Sequence, residues 1–160
     1  MFERIIAWLG AIVLAGLPLS ALAADASLVT LQSAHSFSVT VERFEEAVRS
    51  KASGGWTVFT QIDHAAAAEK AGLKLLPRTV VVFGNPTTGT PAMSKAASLA
   101  IDLPMKAVIW QDEQGVVWLT YNSASYLMTT VFGRHGVTAP PAAADMLAQF
   151  LQGVAEQTVR

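Results

Sequence analysis

The chain of 160 residues contains no cysteine. That removes disulfides, thiol nucleophiles, thiolate zinc sites, iron–sulfur clusters and covalently attached haem from consideration. Charge is also scarce: Lys, Arg, Asp and Glu make up 14% of the sequence, and the formal net charge is −1. Lys and Arg gather into no basic stripe, so no nucleic-acid partner is expected. After the first two dozen residues no uninterrupted apolar run reaches the roughly 20 residues that a membrane span requires. The nucleophile elbow Gly-x-Ser-x-Gly, the Walker and Rossmann glycine spacings, internal repeats and low-complexity tracts are all missing.

What is present begins with an export signal. Arg4 gives a positive start, although Glu3 cancels its charge. An uncharged apolar run follows at 5–17, about 13–15 residues by composition and short of a spanning helix. Pro18 and Ser20 break it, and Ala21-Leu22-Ala23 supplies the small-x-small pattern of signal peptidase. Residues 1–23 therefore read as a signal peptide cleaved after Ala23. The mature protein is expected to be periplasmic or secreted by bacterial Sec-type export, with no transmembrane anchor once the signal is removed. Part of the positive mean hydropathy of +0.40 belongs to this segment. What remains divides into a domain at 24–135 and, at 136–160, a linker with a C-terminal amphipathic helix.

Within the domain, residues 27–33 alternate as a strand. Ser38 or Thr40 can cap a helix that buries Val41, Phe44, Ala47 and Val48, and Gly54-Gly55 ends it. Residues 56–62 read as a strand, and Asp63 caps a short helix at 64–71 closed by Gly72. The continuous apolar run 79–83 predicts a central strand buried on both faces. Thr90 with Pro91 looks like an N-cap and first helical position, starting a helix to about 100. Strands at 105–110 and 116–121 flank a turn at 112–115. A three-residue loop there sets Trp110 opposite Trp118, whereas a loop of two or four residues puts them on opposite faces. Ser123 or Ser125 starts a helix to about 132, ended by Gly133, and 145–154 is amphipathic. The expected fold class is α+β: one compact domain, a mixed or antiparallel sheet of about five strands, and helices mainly on one face.

Several of these stretches also form a recognisable series. Ile62-Asp63-His64, Ala71-Gly72-Leu73, Val82-Phe83-Gly84-Asn85-Pro86 with Gly89-Thr90, Ile101-Asp102-Leu103-Pro104-Met105-Lys106, and Trp118-Leu119-Thr120-Tyr121 follow one another in order. Together they resemble the domain of unknown function 302 family over residues 37–132. The resemblance implies a small α+β domain that pairs as a homodimer, and it leaves the biochemical role open. The tail 136–160 lies outside it. Asn122-Ser123-Ala124-Ser125 replaces an Asp-Pro that members often carry, so that turn is less constrained.

Three groups of residues can carry chemistry. Asp63-His64 places a carboxylate beside an imidazole, a possible catalytic pair with His64 as acid–base, although adjacent side chains rarely face one another and Asp63 also fits a cap. The stretch 83–90 joins a strand to a helix start, where free amides can hold an anion; Asn85, Gly89, Thr90 and, a turn later, Lys95 belong to it. Asp102 and Lys106 flank the next strand and can pair or line the same cleft. The histidines His35, His64 and His135 show no metal-ligand spacing, so no metal site or cofactor is expected, and a copper or zinc site would have to be assembled by the fold. Ser94, Ser98 and Ser123 have no base near them in sequence. The expected function is therefore an exported small-ligand-binding or protein-interaction module. A small, anionic ligand would lie in one cleft bordered by His64, Asn85, Gly89, Thr90, Lys95, Asp102 and Lys106. The alternatives are an enzyme using His64 and an envelope protein that handles copper or zinc. The single-cleft reading requires His64 and Asn85 to converge.

Overall fold

The computed structural model describes residues 27–160, so the expected signal peptide lies outside the described residues. Five strands, β1 (Leu28–Gln32), β2 (Thr57–Asp63), β3 (Arg78–Gly84), β4 (Met105–Gln111) and β5 (Val117–Asn122), form one sheet in the order β1-β5-β4-β3-β2. Every neighbouring pair is antiparallel. The first two strands occupy opposite edges, and helix α1 (Phe37–Arg49) carries the chain between them across one face. The α+β class and the one-sided helical layer are as expected.

Alternation sorts the strands into two faces. On the inner face Val81 lies opposite Ala107, Ala107 opposite Tyr121, and Tyr121 opposite Val29. Val41, Phe44, Ala47 and Val48 of α1 bury against this layer. The apolar run at 79–83 is not the central strand: β4 takes that place, and β3 lies one in from the edge. Its inner residues Val81 and Phe83 are fully buried, while Val80 on the outer face is only half-buried.

The hairpin follows the three-residue reading. Asp112 donates its N–H to the Val116 carbonyl, and Gly115 takes the left-handed φ of 80°. Trp110 therefore pairs with Trp118, their rings stacked with centroids 5.9 Å apart.

Several helices differ from expectation. Helix α1 begins at Phe37 with Ser36 as its N-cap, so Ser38 and Thr40 lie inside it, and Gly133 lies within the helical segment Phe132–Arg134 rather than ending it. Helix α3 spans Pro86–Lys95, capped by Asn85, whose side chain accepts from the Thr87 N–H. Asn85-Pro86 carries the same cap-and-proline signature as Thr90-Pro91 and comes first, so Pro91 falls inside the helix. The C-terminal helix runs Pro141–Val159 rather than 145–154. Pro141 pre-sets its first turn and the alanines behind it propagate well. Leu147, Leu151, Val154, Ala155 and Thr158 are buried, and Arg43 of α1 donates to the Thr158 carbonyl at 3.2 Å. This helix is part of the core.

Candidate functional site

A cavity of about 550 Å³ opens at the end of the sheet where β3 stops and β4 begins. Its size suits a small organic ligand. Trp56 and Phe150 stack face to face on one wall, with ring centroids 3.4 Å apart. Met93 and Ala92 of α3 form another wall, and Leu127 and Met128 a third. The latter pair sit in a π-helical turn, Leu127–Val131, between the helical segments Ala124–Tyr126 and Phe132–Arg134. Such turns widen a helix locally and recur beside binding sites. A β-bulge between Val58 and Thr60 releases Phe59 from regular alternation, and its half-exposed ring lines the cavity mouth.

Polar groups are few. Asn85 is locked: its Nδ2 donates to the Gly54 carbonyl at 2.8 Å, and its Oδ1 accepts from the Thr87 N–H at 3.0 Å. Gly55 makes this possible, because a Cβ there would stand 2.7 Å from Oδ1. Thr88 also lines the wall, and Lys95 brings the sole charged side chain among the lining residues.

The expected single cleft does not form. Asp63 pairs with Thr79 and Thr57 with Gly84, so His64 and Asn85 lie at opposite ends of β2 and β3, roughly 20 Å apart at strand rise. Asp63 caps α2 (His64–Lys70), accepting from the Ala66 N–H at 2.9 Å. His64 is exposed, and no hydrogen bond or ion pair to its ring is found among the described residues. The fold thus provides no orienting partner for the expected acid–base pair. The glycine stretch is no loop either: 86–95 is already helix. Asn85, Gly89 and Lys95 do share the cavity, while Thr90 is exposed one position along α3. Lys106 turns its ammonium onto the Asp102 and Pro104 carbonyls, at 3.3 and 3.0 Å, so the two do not form an ion pair. Among the described residues no three His, Asp or Glu side chains gather as a metal site.

Asp102 instead faces a second cluster. Arg134 donates to both its carboxylate oxygens, with Nε 2.9 Å from Oδ2. His135 Nε2 lies 2.6 Å from the same Oδ2, and His135 Nδ1 lies 2.9 Å from the Ser98 hydroxyl. The guanidinium, and after it the imidazole, hold the Asp102 carboxyl below its ordinary range. Asp102 is therefore ionised and can only accept; its 2.6 Å contact places the proton on Nε2, which outweighs the longer 3.3 Å approach of Arg134 Nε to the same nitrogen. In the neutral ring Nδ1 then carries the lone pair, and Ser98 donates to it. Sequence reasoning passed over this cluster because Ser98 and His135 stand 37 residues apart. The 3₁₀ turn Ala97–Ile101 brings the first into place and the end of segment Phe132–Arg134 the second.

The fold and cavity define a small α+β domain with an apolar pocket at one end of an antiparallel sheet. The model of the family described as "Domain of unknown function DUF302" matches residues 29–157, and the chain belongs to that family. The match takes in the C-terminal helix that the motif resemblance left outside. A crystal structure of an uncharacterized conserved DUF302 protein from Bacillus stearothermophilus superimposes with a TM-score of 0.63 at 20% identity, covering 83% of this chain and 98% of that one. Proteins named fluoride-specific ion channel FluC 1 from Brucella suis biovar 1 and Brucella abortus biovar 1 are 43% identical over 103 residues, or 64% of this chain. The chain spans only 39% and 37% of those relatives. No helix among the described residues is long and apolar enough to cross a membrane.

Proposed function

We propose that the domain binds an amphiphilic small molecule, with an apolar chain or ring in the end cavity and an anionic group turned toward Lys95. The cavity itself carries this reading: about 550 Å³, aromatic and methionine walls, and a single cationic lining residue. Methionine adapts to varied apolar shapes, which suits a site for chains rather than for one rigid ligand. Burying a methylene contributes about 0.8 kcal/mol, so affinity rises about fourfold per added carbon until the cavity is filled. Lys95 is exposed, and an ion pair there is worth about 0–1 kcal/mol and weakens with salt. Titration calorimetry with octanoate, decanoate and dodecanoate tests the reading. The expected result is a stepwise gain with chain length, and a loss of about two- to fivefold for Lys95→Gln. Affinities independent of chain length would contradict it.

The compartment proposed for this activity is outside the cytoplasm. The order of the first two dozen residues supports it, as does a chain that uses no cysteine where thiols would be oxidised. Intact mass of protein recovered from a bacterial periplasm is expected to begin at Ala24.

We also propose a homodimer that covers the outer face of the sheet. Register places Ile62, Val80, Val108, Trp110 and Trp118 on that face, with Ile62 45% exposed. Apolar side chains gathered on one sheet face, here interspersed with Arg78, Thr120 and Lys106, support an interaction site. Val108→Glu, at the middle of the face, is expected to convert a dimer to a monomer in light scattering.

A further inference from the structure

We infer that Ser98 is a nucleophile, and that the Ser98–His135–Asp102 cluster hydrolyses carboxylic esters whose acyl chain lies in the neighbouring cavity. The nucleophile and its base stand on the cluster's own geometry; the acyl-chain assignment rests on the cavity reading above.

Three side chains from two places in the sequence, Ser98 and Asp102 on one 3₁₀ turn and its cap and His135 beyond Arg134, form one hydrogen-bonded line. Ser98 Oγ stands 2.9 Å from His135 Nδ1, and His135 Nε2 stands 2.6 Å from Asp102 Oδ2. A nucleophile, a base and a group that orients the base need these distances, and they are recognised by geometry rather than by sequence order. The ring is turned the other way from the serine-protease arrangement, with Nδ1 toward serine. Either imidazole nitrogen can accept a proton, and the ionised Asp102 decides which one is free. The His135 side chain is 9% exposed, whereas Ser98 is exposed, so the base is shielded while the hydroxyl can be reached. Ser98, Asp102 and His135 do not themselves line the cavity, but their chain neighbours Lys95, Leu103 and Val137, each within three positions of one of them, do, and the acyl-chain assignment rests on that proximity along the chain.

The reaction balances without a cofactor. Ser98 Oγ bonds to the ester carbonyl carbon and its proton passes to Nδ1. The tetrahedral adduct collapses, the bond to the alcohol oxygen breaks, and the alcohol leaves with the proton from Nδ1. Water, deprotonated by Nδ1, then attacks the acyl-serine, releasing the carboxylic acid and restoring Ser98. Because Ser98 is exposed, the oxyanion forms in contact with water, which makes for slow turnover. Asp102 touches no reacting atom in this scheme and is a positioning residue.

The test joins covalent labelling to kinetics. A decyl fluorophosphonate is incubated with the wild-type protein, Ser98→Ala and Ser94→Ala, and adducts are located by peptide mass. Hydrolysis of p-nitrophenyl acetate and decanoate is followed on the same proteins and on His135→Gln and Asp102→Asn. The expected result is an adduct on Ser98 that survives Ser94→Ala. Hydrolysis should fall at least about 100-fold in Ser98→Ala and His135→Gln. Asp102→Asn should lower kcat with KM unchanged, which a loosened cavity wall would not produce. No adduct on Ser98, or equal hydrolysis by Ser98→Ala, overturns the proposal. If decanoate still binds in that case, the cavity reading survives alone. A Ser98 adduct with no preference for decanoate over acetate overturns the acyl-chain assignment while the nucleophile stands.

Discussion

Gly55 holds a left-handed φ of 87° beneath the Asn85 side chain, and two separate costs meet there on substitution. The conformation alone costs an L-residue about 1–2 kcal/mol, and the added Cβ would displace the amide that caps α3. Gly55→Ala is therefore expected to lower the unfolding midpoint more than Gly115→Ala, where the turn has room for a Cβ; parallel thermal melts check the order. Asp112 gives a second prediction at this scale. The Trp118 indole, then the Val116 and Gln114 N–H groups, hold its carboxyl below the ordinary value. A carboxyl depressed in the folded state stabilises the fold above its unfolded value, and that stability is lost as pH falls through the folded one. Melting temperature against pH should fall on the acid side of the carboxylate range, and less steeply in Asp112→Asn. Single residues were also where sequence reading misled most. His64 and His135 look equally unremarkable in one dimension; only the fold decides that one faces solvent alone and the other stands between a serine and a carboxylate.

Among the elements, those built on short-range chemistry were legible. The hairpin loop length follows from a glycine suited to the left-handed position, and with it the Trp110–Trp118 register. The cap of α2 by Asp63 is likewise a three-residue affair. Competition between equivalent signals was not legible: Asn85-Pro86 and Thr90-Pro91 both announce a helix start, and the chain takes the first. Nor could composition show that the C-terminal helix is a structural layer, because its partner, α1, lies a hundred residues away. That helix yields a firm expectation. Leu151 is buried in the core, and Leu151→Ala should cost about 2–5 kcal/mol in denaturant unfolding. A chain ending at His135 should fail to give a cooperative transition.

For the whole molecule, the sheet separates two surfaces with different uses. Its inner face holds the core, and its outer face carries the half-buried and exposed apolar side chains on which the proposed dimer rests. The cavity sits at one end of the layer, where strand ends, α3, the π-helical turn and the C-terminal helix leave space between them. The topology explains why the expected cleft divided: an antiparallel pair sends the junction after β2 to one end and the junction after β3 to the other. The residues that stayed together, Asn85, Gly89 and Lys95, all follow the same strand. The most direct measurement is calorimetric titration of dodecanoate into Gly89→Leu beside the wild-type protein. A Cβ at Gly89 meets only the side-chain ends of Leu103 and Met93, both at 4.0 Å and both lining the cavity, so a leucine has room at its base, extends into the ligand's space and replaces a helix-weakening glycine. The expected result is an unchanged or raised melting temperature with affinity reduced at least about tenfold, the loss of two buried methylenes. Equal affinity in a folded Gly89→Leu protein would place the ligand elsewhere and contradict it.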